Sequence, residues 1–188
     1  FRNFKVVNSH INTMLRMSKV HYKSSDLFSI LNYKSSDLFS ILKEHFGKDM
    51  NLARIKAMGM IICALCKVQT VAYTKLASAF ETKADAGSSL RRIQRLIAEC
   101  IIDTDIIAKL ILKLLPIKGP YSLSLDRTNW KYSSTNINIL TLGVIYDGMA
   151  FPILFKMLDK RGNSNTQERV DLISRFITIA GRDSIRHL

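Results

Sequence analysis

The chain has 188 residues, of which 28 are Lys or Arg and 15 are Asp or Glu, so its formal net charge is +13. Its longest apolar stretch, Ala57 to Cys66, is shorter than the ~20 residues that a membrane-spanning helix needs, which excludes an integral membrane protein of that kind. Its three cysteines are an odd number, which argues against a disulfide-rich secreted domain and for a reducing compartment.

The positive charge lies mainly in the N-terminal part of the chain. Nineteen basic and nine acidic residues precede Gly119, whereas nine basic and six acidic residues follow it. Such an excess favours a polyanion as partner, because phosphate contacts supply most of the non-specific affinity for DNA. The alternative is a soluble basic protein whose lysines are solvated, and charge alone does not separate the two.

A ten-residue segment occurs twice near the N-terminus. Tyr22–Leu31 is repeated without change as Tyr33–Leu42, after Asn32. The spacing of eleven residues is close to three helical turns, so such an insertion roughly preserves the apolar face of a helix. We predict a helix in each copy, with its Ser-Ser-Asp near the N-cap, and we interpret residues 1–21 as an extension that is either disordered or helical.

Two apolar-periodic stretches follow the repeat and predict helices. Asn51 to Lys67 begins with a capping Asn and is apolar on most sides, so we expect it at the centre of a helical core. Within it, Cys63 and Cys66 have a zinc-like spacing, but no second pair of ligands is apparent and we interpret them as buried thiols. Val71 to Phe80 is the second predicted helix.

A third predicted helix carries an arginine-rich face. After a loop at residues 81–87, the stretch Ser88–Ile97 begins with two serines that could cap it and turns four apolar side chains inward, Leu90, Ile93, Leu96 and Ile97. Its opposite face carries Arg91, Arg92 and Arg95. A short helix, a loop and an arginine-faced helix suit a helix-turn-helix arrangement, whose second helix contacts DNA. The alternative is an ordinary amphipathic helix with a solvated basic face.

A domain boundary is predicted near Gly119. Asp103–Leu115 is a further predicted helix, with acids near its start where the helix dipole favours them, and Pro116–Pro120 ends it. The chain is helical and basic before this point and strand-like after it. We therefore predict an all-α domain over residues 22–119 and a second domain over residues 120–188.

Three strands are predicted at the start of the second domain. In Tyr121–Asp126 leucines alternate with serines, which is the period of a half-buried strand, and Asp126 is expected at the C-terminal end. Ile137–Tyr146 and Met149–Leu158 flank Asp147-Gly148, a strong hairpin signal because the turn needs residues that tolerate positive φ.

The third strand is expected at the edge of the sheet. Pro152 lies within it, and proline lacks the N–H donor that an inner strand needs. After a loop at Lys160–Asn163, either Ser164-x-x-Gln167 or Asn165-x-x-Glu168 forms a capping box. The helix that follows is expected to cover one face of the sheet.

Three segments of this region, Leu125–Trp130, Asn138–Gly143 and Leu158–Thr166, resemble DDE transposases of bacterial insertion sequences, in the insertion sequence 4 group. The resemblance implies a ribonuclease-H-like catalytic domain, in which the acid that ends the first strand is the first of three metal-binding carboxylates. That role corresponds to Asp126. The predicted fold class is therefore α+β, with an all-α domain followed by a truncated ribonuclease-H-like domain of three antiparallel strands and one helix.

The resemblance also implies an activity, DNA transposition by metal-dependent cleavage at the element ends and strand transfer. It implies Mg²⁺ as cofactor, double-stranded DNA as partner, a homodimer on DNA, and a location with the nucleoid in the bacterial cytoplasm. Asp126 would be catalytic and would bind the metal. The residues expected to contact DNA are basic: Arg91, Arg92, Arg95, Arg127, Lys160 and Arg161. A solvated turn is the alternative interpretation of the last two.

The second Asp and the final Glu of the family match nothing in this chain, so we expect it to be inactive alone. A catalytically inactive DNA-binding remnant, or a regulator of transposition, is the alternative function. A pseudogene product is a further alternative, because Phe1–Arg16 precedes a family-like start at Met17 and the repeat is an exact duplication. We also expect a free sheet edge along Tyr121–Asp126 and marginal stability of the C-terminal half.

Overall fold

In a computed structural model of the chain, the structure describes residues 35–132 and 134–188. The chain divides into two compact units, Phe1–Ile101 and Ile102–Leu188. The described residues form six α-helices and a four-stranded sheet, which confirms the α+β class. The extension at residues 1–21 and the first copy of the repeat lie outside the described residues.

The described part of the first unit is helical. The second copy of the repeat is helical from Ser35 onward, as expected. Side chains from the later helices form one apolar cluster, in which Leu76 and Ile93 are buried. The four helices are α1 (Ser35–Phe46), α2 (Leu52–Val68), α3 (Tyr73–Ser78) and α4 (Ala86–Glu99).

Helix α2 agrees closely with its prediction. The Asn51 side chain caps it by accepting a hydrogen bond from the Arg54 backbone N at 2.9 Å, and the helix ends at Gln69, whose φ of 48° is left-handed. Cys63 and Cys66 have free thiols and are half-buried rather than buried. Burial raises the pKa of both thiols.

The helices on either side of the predicted loop differ from their predictions. Helix α3 is shorter than expected, and α4 begins before Ser88 because Asp85 provides the cap. The Asp85 carboxylate accepts hydrogen bonds from the Ser88 backbone N at 2.9 Å and from its hydroxyl at 2.7 Å. These bonds hold the pKa of Asp85 below its usual value. Ser89, expected near the cap, is instead buried within the first turn.

The second unit combines a mixed sheet with two helices. Strands β1, β2 and β3 form the predicted antiparallel set, and a short β4 adds to β1 in parallel, giving the order β3-β2-β1-β4. In chain order the elements are α5 (Thr104–Leu114), β1 (Tyr121–Tyr132), β2 (Thr135–Tyr146), β3 (Met149–Met157), α6 (Thr166–Ala180), a 3₁₀ turn (Arg182–Ser184) and β4 (Ile185–His187).

The β2–β3 hairpin is confirmed at its turn and at its edge. Asp147 and Gly148 have φ of 49° and 73°, the pair of positive values that a two-residue type I′ turn requires. Strand β3 lies at the edge of the sheet. Pro152 lies opposite Gly143, where the register shifts, so its missing donor falls at an irregular position of an edge strand.

Two predictions for β1 are wrong. Asp126 does not end the strand: it lies midway, opposite Thr141, because pairing with β2 continues from Ser122 to Tyr132. The edge is not entirely free either, because β4 pairs with Tyr121 and Ser122. Within the described residues, the unpaired edge of β1 begins after Ser122.

Helices α5 and α6 both contribute to the core under the sheet. Ala108 of α5 and Phe176 of α6 are fully buried there, in one cluster with strand leucines such as Leu140. This confirms that α6 covers the sheet. Residues 120–188 thus contain four strands where three were expected, together with the one expected α-helix, and α5 joins them in the second unit. The compact unit begins at Ile102, earlier than the composition change at Gly119, because α5 packs against the sheet.

None of the helices in the described part of the chain is both long enough and apolar enough to cross a membrane.

Candidate nucleic-acid interface

A groove of about 530 Å³ in the first unit brings the predicted arginines together. We call it the arginine groove. It lies between the first turns of α2 and the exposed face of α4. Its charged lining residues are Arg54 from α2 and Arg91, Arg92, Arg95 and Glu99 from α4. Four guanidinium groups thus share one concave surface with one carboxylate.

Helix α4 presents its arginines because its opposite face is fixed in the core. Ile93 is fully buried, and Leu90 and Ile97 pack against the same apolar cluster. Arg91 and Arg95 are four residues apart and therefore neighbours on the helix surface. Three of the four apolar side chains predicted to face inward do so, whereas Leu96 lines the arginine groove instead.

Arg54 is a member of the arginine groove that the sequence prediction missed. It lies in the first turn of α2, where its backbone N is held by the Asn51 cap. No periodicity within α2 marks it, because its place beside α4 is decided by helix packing. Its charge also opposes the rise that burial causes in the pKa of Cys100, the residue that ends α4.

A second groove, of about 320 Å³, lies beside β1 in the other unit. We call it the β1 groove. Its polar lining residues are Asp126 and Arg127 of β1, Ser164, and Arg169 of α6. The apolar ones are Leu125, Leu140, Ile173 and Leu188. The structure therefore places Asp126 and Arg127 together, while Arg91, Arg92 and Arg95 belong to the first unit.

Asp126 is exposed on β1. Its Oδ1 accepts a hydrogen bond from the Arg127 backbone N at 2.7 Å. Successive side chains of a strand point to opposite faces, so Asp126 and Arg127 lie on the two sides of β1. The carboxylate is accessible and keeps lone pairs for a further partner.

Asn138 joins Arg127 to the loop after β3. Its side chain is 1% exposed. The amide donates to the backbone oxygens of Lys160 at 3.0 Å and Gly162 at 3.1 Å, and its Oδ1 accepts from Arg127 Nη1 at 3.3 Å. Asn138, Leu140 and Leu142 lie two residues apart on β2 and therefore share one face of the strand. This spacing could have identified Asn138 as a polar side chain that faces the core.

The two basic loop residues have different surroundings. The Lys160 ammonium forms an ion pair with Glu168 at 2.9 Å, so it is engaged within the protein, whereas Arg161 is exposed. The Lys160 hydrogen bond, with help from the Asn165 backbone N, holds the pKa of Glu168 below its usual value. Glu168 also forms the capping box of α6 with Asn165. Of the two capping boxes that the sequence allowed, the structure therefore has Asn165-x-x-Glu168.

The donor set beside β1 fits part of a divalent-metal site. Hard cations such as Mg²⁺ prefer carboxylate oxygens, and Asp126 offers one accessible carboxylate. Of the described residues that line the β1 groove, it is the one acid, and one carboxylate does not hold two ions. Asp126 thus suits the role of a single ligand.

The arginine groove suits a polyanion, since guanidinium groups bind phosphate oxygens in a bidentate manner. The β1 groove combines an accessible acid with two arginines. Neither a scan against models of protein families nor searches among curated proteins and solved structures find a match to this chain.

Proposed function

We propose that this chain is part of a DDE transposase of the insertion sequence 4 group. Its helical unit binds DNA at the element ends, and its second unit forms the beginning of a ribonuclease-H-like catalytic domain. The observation that carries the proposal is the arginine groove, where four guanidinium groups from two helices line one concave surface. Such a surface suits the phosphates of DNA better than it suits a neutral ligand.

The sheet of the second unit supports the catalytic part of the proposal. In the family's sheet the first strand is central and later strands pair on its far side. Here β1 lies between β2 and β4, and β4 runs parallel to it. In this proposal Asp126 is a metal ligand, and bound Mg²⁺ would stabilise the attacking and leaving oxygens of phosphoryl transfer.

The second candidate function is a DNA-binding regulator or inactive remnant that occupies element ends. The observation that favours it is the lining of the β1 groove, where Asp126 is the one carboxylate among the described residues. The nucleotide sequence after the Leu188 codon separates the two candidates. A frame that continues through a further Asp and Glu supports the transposase, and an immediate stop or frameshift supports the regulator.

DNA binding by the helical unit is tested by fluorescence anisotropy with duplex DNA over a range of salt concentrations. Replacing Arg91, Arg92 and Arg95 together by Gln should weaken binding by at least about tenfold. It should also reduce the slope of log affinity against log salt by about 2 to 3, because each lost phosphate contact removes close to one unit.

A triple variant of equal charge provides the control. Lys48, Lys75 and Lys83 are exposed on the same unit and do not line the groove. Replacing these three by Gln should change the affinity and the salt slope much less. Equal losses in both variants, or no binding by the unmodified chain at low salt, would contradict the proposal.

A further inference from the structure

We propose that Glu99 is the specificity-determining residue of the arginine groove, and that its carboxylate accepts a hydrogen bond from the exocyclic amino group of a cytosine. This inference rests on the proposed function, because it assumes that the groove binds duplex DNA. It deepens that function, because arginines that hold phosphates position a protein on DNA but carry no sequence information.

Of the described residues that line the arginine groove, Glu99 is the one acid. It is exposed, and it shares the groove with Arg54, Arg91, Arg92 and Arg95. A carboxylate repels the phosphates that these arginines attract, so Glu99 lowers the affinity of the groove for any DNA backbone that passes close to it. Without a hydrogen-bond donor of its own on the DNA, this carboxylate would only weaken binding.

The stability of α4 does not account for this acid. Glu99 lies in the last turn of the helix, where the helix dipole disfavours a negative charge. Arg95 is four residues before it, so the two side chains are neighbours on the helix surface, but in the less favourable order for an i,i+4 pair. Among the described residues, no ion pair joins Glu99 to an arginine of the groove. The guanidinium groups therefore leave its carboxylate oxygens to a further partner.

The position of Glu99 on α4 suits a contact with a base. Helix α4 has an exposed basic face, and the major groove of DNA admits an α-helix. Arg91, Arg95 and Glu99 follow one another at intervals of four residues and form one row on this face, about 12 Å long. Arg54 of α2 lies near the Glu99 end, since its charge opposes the rise that burial causes in the pKa of Cys100. Phosphates held by the arginines would thus place base edges beside Glu99.

A carboxylate selects cytosine among the bases. It is only an acceptor when ionised, and the donors in the major groove of DNA are the amino groups at cytosine N4 and adenine N6. On an A·T pair the amino group lies between two acceptors, adenine N7 and thymine O4, which repel a carboxylate. Cytosine N4 has an acceptor on one side only, guanine O6, so a carboxylate approaches it with less repulsion.

The test is a selection of binding sites by the full chain from a pool of randomised duplex DNA. The unmodified chain should enrich sites that share a cytosine at one position. Glu99→Ala should leave that position unselected while the other selected positions remain, and it should bind the unselected pool about threefold more tightly, because it repels phosphate less. If both chains select the same positions, or the unmodified chain binds DNA without selecting any, the proposal is wrong. Failure of the unmodified chain to bind any duplex would instead contradict the proposed function.

A modified base and a matched variant assign the contact to Glu99. In a selected site, replacing the cytosine by pyrimidin-2-one, which lacks the amino group, should weaken binding by the unmodified chain about tenfold. The same replacement should leave binding by Glu99→Ala unchanged, and equal losses in the two chains would overturn the assignment. Asp49→Ala removes an exposed acid of the same unit outside the groove and should not alter the selected sites. If it alters them as Glu99→Ala does, the effect comes from net charge and the proposal is wrong.

Discussion

Asn138 is the buried polar side chain on which the loop after β3 depends. Its amide donates to two loop carbonyls and accepts from Arg127, so its donors and its acceptor are in use inside the protein. A buried amide is tolerated when its hydrogen bonds are made, and it then fixes one arrangement of its neighbours. This one residue therefore sets both the loop path and the orientation of an arginine in the β1 groove.

Asn138→Ala should lower the free energy of unfolding by about 2 kcal/mol, because the Lys160 and Gly162 carbonyls lose their donor in a part-buried position. Urea denaturation measures the change. Asn129→Ala is the matched control, since Asn129 lies directly opposite on β1 but is exposed, and surface changes usually stay within about 0.5 kcal/mol. Similar losses in both variants would argue against the role given to Asn138.

Residue positions could be predicted from the sequence where local periodicity decides them. Helical spacing predicts that Arg91, Arg92 and Arg95 lie on the exposed face of α4, and the structure confirms that all three are exposed. Arg54 and Arg169 could not be predicted in the same way, because packing between elements brings them to the grooves. Asp126 lies on the predicted strand but not at its end, because the polar residues that follow it, Arg127, Thr128 and Asn129, conceal how far β1 extends.

At the scale of elements, the start of α6 shows how a helix end and a loop are joined. The Asn165 side chain accepts from the Glu168 backbone N at 2.8 Å, and Glu168 Oε2 accepts from the Asn165 backbone N at 2.7 Å. Glu168 also pairs with Lys160. The capping box thus carries an additional ion pair that ties α6 to the loop after β3.

This arrangement makes stability depend on pH. The pKa of Glu168 is lowered in the folded chain from its usual 4.5, first by the Lys160 hydrogen bond. A carboxyl group whose pKa is lowered by folding stabilises the folded chain at pH values above its pKa in the unfolded chain. This contribution is lost as the pH falls through the pKa that the group has in the folded chain. Glu168→Gln should therefore lower the melting temperature at neutral pH, and the difference in melting temperature from the unmodified chain should shrink as the pH falls below 4.5, the usual pKa of the group.

Thermal unfolding at a series of pH values measures this difference. Lys160→Met provides the control, since it removes the group that lowers the pKa. In that background, Glu168→Gln should have a smaller and less pH-dependent effect. If the melting temperatures of the unmodified chain and of Glu168→Gln differ by the same amount from neutral to acidic pH, the role assigned to the ion pair is wrong.

The strand elements show where sequence rules suffice. Asp147-Gly148 and Pro152 were sufficient to predict the hairpin and its edge position, because positive φ and a missing N–H are local constraints. The short β4 at Ile185–His187 could not be predicted, since three residues carry little periodicity and their pairing with Tyr121 and Ser122 is a long-range contact.

At the scale of the whole molecule, α5 belongs with the sheet. The composition of the chain predicts a domain boundary at Gly119, because α5 is a helix like the elements before it and strands follow. In the structure, however, Ala108 of α5 is fully buried in the core that contains Leu140 and Phe176. In addition, Arg175 of α6 donates to Asp105 Oδ1 at 2.5 Å, within the first turn of α5. Apolar burial and an ion pair thus both connect α5 to the second unit.

A fragment spanning Ile102–Leu188 should therefore unfold in one cooperative transition, whereas Pro120–Leu188 should be less stable by several kcal/mol. The missing helix leaves apolar core surface exposed, at about 25 cal/mol per Å². Urea denaturation of the two fragments measures the difference. Unfolding of both at the same urea concentration would show that α5 does not stabilise the sheet.

A pair of substitutions one residue apart tests the same point within the full chain. Ala108→Asp places an unpaired carboxylate in the core and should reproduce much of the loss, because burying a charge without a partner is costly. Lys109→Asp introduces the same side chain at an exposed position and should cost far less. Equal effects of the two would mean that Ala108 is not buried under the sheet, and the boundary would then return to Gly119.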